Sequence, residues 1–170
     1  MTWLKLVPAW CWWLLAVAVA AAGLLSHSGY EIFGRPALRE RIADRSTRRG
    51  IPTSAEEILV TSGAQSAIHL LASVLLARAD RVLLETPTYP HAADAFRQGG
   101  ARLVGVPVTT ADGWDLERAE QAFARTLPLV AYLMPEFQNP TGRTMTPEEV
   151  SVISAAAERA GTTLVLDETT

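Results

Sequence analysis

Residues 31–170 predict an α/β chain with a largely parallel sheet. Three observations carry this. Short apolar runs of strand length alternate with helical patterns along the chain. Helix-start signals follow most of those runs directly. The Gly-, Pro- and Asn-containing turns lie at strand ends, where ligands sit in such sheets.

The elements follow in order. Pro36 at a helix start and Gly50 past its end bracket a helix over Ala37 to Arg49, with Leu38 and Ile42 on one face. Ser54-Ala55-Glu56-Glu57 is a capping-box pattern opening one short turn. Ile58 to Thr61 is a strand candidate. Gly63 turns the chain into a nearly all-apolar, hence buried, helix over Ala64 to Ala77. Arg81 to Glu85 is the next strand, and Pro90 to Gln98 a helix closed by Gly99-Gly100. Leu103 to Val106 is a strand and Asp112-Gly113 a turn. Leu116, Ala119 and Phe123 recur at helical spacing. Leu129 to Leu133 is a strand. Thr146-Pro147-Glu148-Glu149 combines an N-cap, Pro at the first helical position and a box Glu, and Val150, Ile153 and Ala157 form one face. Thr163 to Leu166 is the last strand, ending at Asp167.

Composition limits the chemistry. The 170 residues carry 15 basic and 18 acidic side chains, a net charge of −3. That balance argues against a nucleic-acid binder held by a basic face. A single cysteine, Cys11, excludes an internal disulfide framework and a cysteine-built metal site. Lys5 is the only lysine, so a mechanism that needs one must use it or take place on another chain.

Residues 1–30 stand apart as an apolar N-terminal segment preceding a domain over 31–170. Leu6 to Tyr30 holds no Asp, Glu, Lys or Arg, and Ala9 to Ala22 is unbroken apolar sequence. Three readings stay open: a secretory signal peptide, a membrane anchor through residues 6–25, and a buried or misread start of a cytosolic protein.

The candidate functional residues follow strands. Gly63-Ala64-Gln65 opens a helix, whose first N–H groups suit a phosphate; a plain glycine turn is the alternative. Tyr89, between Pro87 and Pro90, sits in a stiff segment that could hold its ring against a ligand or pack it in the core. Asn139-Pro140-Thr141-Gly142 is either a turn or an amide aimed at a ligand oxygen. Asp167 ends an apolar strand, where a carboxylate is costly unless paired, so a cationic partner is expected. His27, His69 and His91 lack metal-ligand spacing, and His69 reads as a core histidine. The arginines from Arg35 to Arg49 read as a solvated helix face.

In order and spacing these motifs resemble the pyridoxal-phosphate-dependent aminotransferases of class I/II, fold type I. The likeness is strongest to the aminotransferase-like domain of MocR-type regulators of the GntR family. It runs from about Gly29 to Thr170 and includes Gly34 to Arg39, Ile58 to Gln65, Thr86 to Pro90, Asn139 to Gly142 and Asp167.

The resemblance implies a three-layer large domain with an incomplete, mostly parallel sheet. It implies pyridoxal 5'-phosphate as cofactor. Its phosphate would lie on the backbone N–H groups of Ala64 and Gln65 after Gly63, its ring on Tyr89, its ring hydroxyl on Asn139 and its pyridine nitrogen on Asp167. It also implies an amino-acid substrate, and a homodimer or a completing chain. The family's Schiff-base lysine lies beyond the strand-final Asp, and residues 6–170 contain no lysine, so no catalytic residue is assigned. Strand order in the family would leave the Ile58 to Thr61 strand separated from the others by a gap. The expectation is therefore an N-terminal fragment of a cytoplasmic aminotransferase-like protein, inactive alone. The alternatives are an effector-sensing half of a regulator and a membrane-anchored or exported protein.

Overall fold

The computed structural model describes residues 30–168. They fall in two compact units that divide between Val60 and Thr61. The apolar segment over 6–25, with its signal and anchor readings, lies outside the described residues. Among the described residues no helix is long and apolar enough to cross a membrane.

The first unit contains helix α1 (Pro36–Arg48) and a short 3₁₀ turn (Ala55–Glu57). Pro36 takes the first helical position, and Arg45 and Arg48 lie in the last turn, where cations complement the helix dipole. Leu38 stays 46% exposed; Ala43 is the buried residue of this helix. The capping box at Ser54 forms: its amide donates to Glu57 Oε2 at 2.7 Å. That backbone bond holds the Glu57 carboxyl below its usual range. Gly34 has φ +94°, and a Cβ there would sit 2.4 Å from Val60 Cβ, so only glycine fits this crossing.

The second unit is a three-layer α/β structure. Its elements are α2 (Ala64–Leu75), β1 (Arg81–Thr86), α3 (Pro90–Gln98), β2 (Arg102–Thr109), β3 (Gly113–Trp114), α4 (Leu116–Thr126), β4 (Val130–Leu133), α5 (Pro147–Ala160) and β5 (Thr163–Leu166). The sheet order is β3-β2-β1-β4-β5. The pairings β1–β2, β1–β4 and β4–β5 are parallel, and β2–β3 is antiparallel. Alternation along the central strands sorts their side chains to two faces. Leu83, Ala131 and Leu133 pack with Phe123 of α4 and Ile153 of α5. Val82, Val130 and Tyr132 pack with Ile68 of α2 and Phe96 of α3. With both faces covered, β1 and β4 read as continuous apolar runs, which made them legible.

Four expectations are corrected. Residues 58–61 form no strand: a strand exists only with a ladder partner, and here Val60 N donates to Phe33 O instead. The five strands form a contiguous sheet whose edges are β3 and β5, with no gap inside it. Helix α2 is not buried. Only Ile68 and Ala72 are fully buried, while Val74 is 71% exposed, because a single face meets the sheet. His69, on that helix, is likewise exposed and no core histidine. The short strand β3 has no sequence signal beyond its Asp112-Gly113 turn; pairing of Trp114 with Val108 creates it.

Candidate functional site

Four chain segments converge at the carboxyl ends of the parallel strands. The Gly63 turn starts α2. Gly63 has φ +138°, open to glycine and strained for other residues, and its carbonyl accepts from the Ser66 and Ala67 amides. At the end of β1 the chain passes through Pro87 to Tyr89, which caps α3 with Pro90 at the first helical position. The Tyr89 ring stacks on His91 with centroids 5.3 Å apart. Beyond β4 lies the segment from Met134 to Gly142. Asp167 continues β5, its amide donating to Leu133 O at 2.9 Å.

These segments enclose a cavity of about 240 Å³. Ala64, Gln65, Tyr89, Asn139 and Asp167 line it, together with Met134, Glu136 and Phe137. Of the six candidate residues only Gly63 is outside the lining; it sets the turn that presents Ala64. A larger groove of about 500 Å³ lies between α4 and α5. Its polar pair, Arg159 and Glu120, is an exposed ion pair at 3.0 Å. The strand-end cavity collects more convergent polar groups, which marks it as the functional candidate.

Polar satisfaction around the cavity is uneven. Gln65 Nε2 donates to His91 O at 3.1 Å, whereas its buried Oε1 has no hydrogen-bond partner among the described residues. Thr88 Oγ1 is buried in the same condition. Buried polar atoms of this kind are rare and point to an absent ligand or solvent partner. Phe137 adopts a left-handed φ of +50°, an uncommon conformation for a bulky side chain that clusters at ligand sites.

Asp167 does not meet a cation within the described residues. Its Oδ2 accepts from the neutral Tyr132 phenol at 2.5 Å. Burial, then the hydrogen bond and charge of Asp167, hold the Tyr132 hydroxyl above its ordinary pKa. It is therefore a fixed donor at neutral pH. Among the described residues the other oxygen of Asp167 takes no hydrogen bond and is left for a second partner.

Two further polar residues escape the sequence reading. Glu85 on β1 is fully buried. Its Oε1 accepts from Trp114 Nε1 at 2.9 Å and Met134 N at 3.1 Å, and its Oε2 from Gln138 Nε2 at 3.2 Å. Burial pushes its carboxyl up to about 7, against these three donors, and the Asp167 charge adds to the rise. Gln138, also fully buried, accepts at Oε1 from the Thr141 amide at 3.0 Å and hydroxyl at 2.6 Å. The strand-end argument that selects Asp167 selects Glu85 equally, after Val82-Leu83-Leu84. Gln138 has no such signal apart from standing beside Asn139. Among the described residues no group of three or more His, Cys, Asp or Glu is placed to hold a metal ion.

Residues 13–169 match the model of the family described as Aminotransferase class I and II. The 2-aminoadipate transaminase of Thermus thermophilus is 45% identical over 87 residues, 51% of this chain and 22% of that protein. The HTH-type transcriptional regulator NorG of Staphylococcus aureus is 30% identical over 136 residues, 80% of this chain and 30% of that protein. The crystal structure of LysN, an alpha-aminoadipate aminotransferase of Thermus thermophilus complexed with N-(5'-phosphopyridoxyl)-L-leucine, superposes with a TM-score of 0.75 at 34% identity. That match covers 89% of this chain and 39% of LysN. The chain thus spans between about a fifth and two fifths of the length of these relatives.

Proposed function

The chain belongs to the aminotransferase class I and II family, and on that premise we propose that its second unit is the cofactor-binding part of a pyridoxal-phosphate-dependent amino-group transfer site. One observation carries the reading. Ala64, Gln65, Tyr89, Asn139 and Asp167 are scattered over more than a hundred positions, yet line one cavity at the strand ends.

The donor set fits the cofactor's chemistry. Gly63 O takes the Ser66 and Ala67 amides, so the Ala64 and Gln65 amides at the positive end of α2 would hold the phosphate. Tyr89 would lie against the pyridine ring, and Asn139 would donate to the ring hydroxyl oxygen. Asp167 would keep the ring nitrogen protonated, and Tyr132 holds that carboxylate in place. When bound, the cofactor supplies an acceptor for the electrons released at the alpha carbon of an amino-acid substrate. Residues 6–170 contain no lysine to hold it covalently. We therefore propose that this chain alone binds the cofactor non-covalently and does not turn over, and that its binding site faces the cytoplasm, where phosphorylated cofactors are found.

The test uses N-(5'-phosphopyridoxyl)-L-leucine, a probe that needs no lysine. Calorimetry is expected to show one site, weakened at least tenfold by Asp167→Ala. Equal binding by wild type and Asp167→Ala would overturn the assignment. The similarity to NorG over 80% of the chain favours a second reading, an effector-sensing half of a regulator. In that case a longer protein containing this chain would bind the probe and lack transaminase activity.

A further inference from the structure

Neither Glu85 nor Gln138 lines the cavity, yet both touch the chain that does. Gln138 Nε2 donates to Pro87 O at 2.8 Å, to Asn139 O at 3.0 Å and to Glu85 Oε2 at 3.2 Å. Pro87 lies two residues before Tyr89, and Asn139 is itself a wall of the cavity. At its other end the carboxamide takes two donors, the amide and hydroxyl of Thr141. Three acceptors at one end and two donors at the other leave a single workable orientation. A flipped amide would face oxygen with oxygen and hydrogen with hydrogen. Glu85 meanwhile accepts from the amide of Met134, another wall residue.

A fully buried carboxylate is expensive to keep, and an apolar residue of similar size would often be more stable at such a site. Glu85 therefore calls for a role beyond stability. Its position supplies one. Among the described residues it is the one carboxyl group bonded to Gln138, and a hydrogen bond to a carboxylate fixes orientation more strongly than one to a carbonyl.

We propose that Glu85 and Gln138 are a positioning pair that fixes the Tyr89 and Asn139 walls of the cavity in the geometry the ligand requires. The inference rests on the cofactor reading above. It adds two residues that act through others and touch no ligand.

The experiment combines binding with local backbone order. The proteins are wild type, E85Q, Q138E, the exchange variant E85Q/Q138E, and the milder T141V, which removes one donor to Gln138. T146A serves as a destabilised control, because its cap on α5 makes no hydrogen bond to Glu85 or Gln138. Affinity for N-(5'-phosphopyridoxyl)-L-leucine is measured by calorimetry. Amide hydrogen exchange at Met134 and Thr141 is measured without ligand.

E85Q and Q138E are expected to weaken binding about tenfold and T141V about threefold. Exchange at Thr141 should quicken while Ala131, within β4, is unchanged. E85Q/Q138E lets an amide and a carboxylate meet again in reverse but turns a carboxylate oxygen on the Pro87 and Asn139 carbonyls, and should bind no better than Q138E. T146A should stay within twofold of wild type. Single variants that bind like wild type with Thr141 still protected would overturn the proposal. So would an exchange variant that binds like wild type. If wild type fails to bind the probe, the cofactor reading fails; the exchange data then decide the positioning claim, which unchanged protection at Thr141 in E85Q and T141V would defeat.

Discussion

The Tyr132 phenol donates to Asp167 Oδ2 across the β4–β5 pair, where Tyr132 lies opposite Val165, two residues before that carboxylate. The ring of the same tyrosine packs edge-on against Phe96, with centroids 5.6 Å apart. One side chain thus couples the core to the cavity. Tyr132→Phe keeps the packing and removes the donor. A hydrogen bond to a charged group contributes about 1.5–3 kcal/mol. The variant should lose about that much stability in a urea melt and bind the phosphopyridoxyl probe about tenfold more weakly. Unchanged binding with lowered stability would assign Tyr132 to the fold alone.

Glu85 predicts a pH dependence. Burial raises its folded-state pKa from 4.5 to about 7. The folded state therefore holds the proton more tightly than the unfolded chain. This group's contribution is most favourable at or below pH 4.5, is lost as pH rises towards 7, and is level above that. The loss is on the order of 3 kcal/mol. Urea melts between pH 4 and 8 should show this slope in wild type. E85Q, whatever its absolute stability, should lack it. An identical slope in both would exclude Glu85 as its source.

Gly34 predicts a steric cost in the first unit. An added Cβ would meet Val60 Cβ at 2.4 Å in a backbone with φ +94°. Gly34→Ala should destabilise that unit by about 1–3 kcal/mol. The readout is faster hydrogen exchange at the Val60 amide, which donates to Phe33 O at 3.0 Å.

The cap of α5 separates two roles. Thr146 Oγ1 accepts from the Glu149 amide at 3.2 Å, and Glu149 Oε2 accepts from the Thr146 amide at 2.7 Å. Glu149 Oε1 also accepts from Trp114 N at 3.3 Å, tying the helix to β3. Thr146→Ala should cost about 1 kcal/mol by loss of an N-cap. Glu149→Ala should cost more, since it also strips a partner from a buried amide. Equal losses in thermal melts would show that the β3 tie contributes nothing.

Much of this protein is written locally. The α/β alternation, the helix starts at Pro36, Pro90 and Pro147, and the strands ending at Glu85 and Leu133 follow from periodicity and capping, which neighbouring residues decide among themselves. Five of the six candidate site residues line one cavity, and all six but Asn139 stand at a strand end or helix start. Tertiary structure decided the rest. It denied residues 58–61 a strand, because no partner is offered. It made Gly113–Trp114 a strand because β2 is beside it. It left α2 half exposed, because a helix on a sheet buries one face. It gave Asp167 the Tyr132 phenol as a partner, and it joined Glu85 to Gln138 across 53 positions of sequence. Hydrogen-bond partners of buried groups are chosen by which strands become neighbours, and no local pattern encodes that choice.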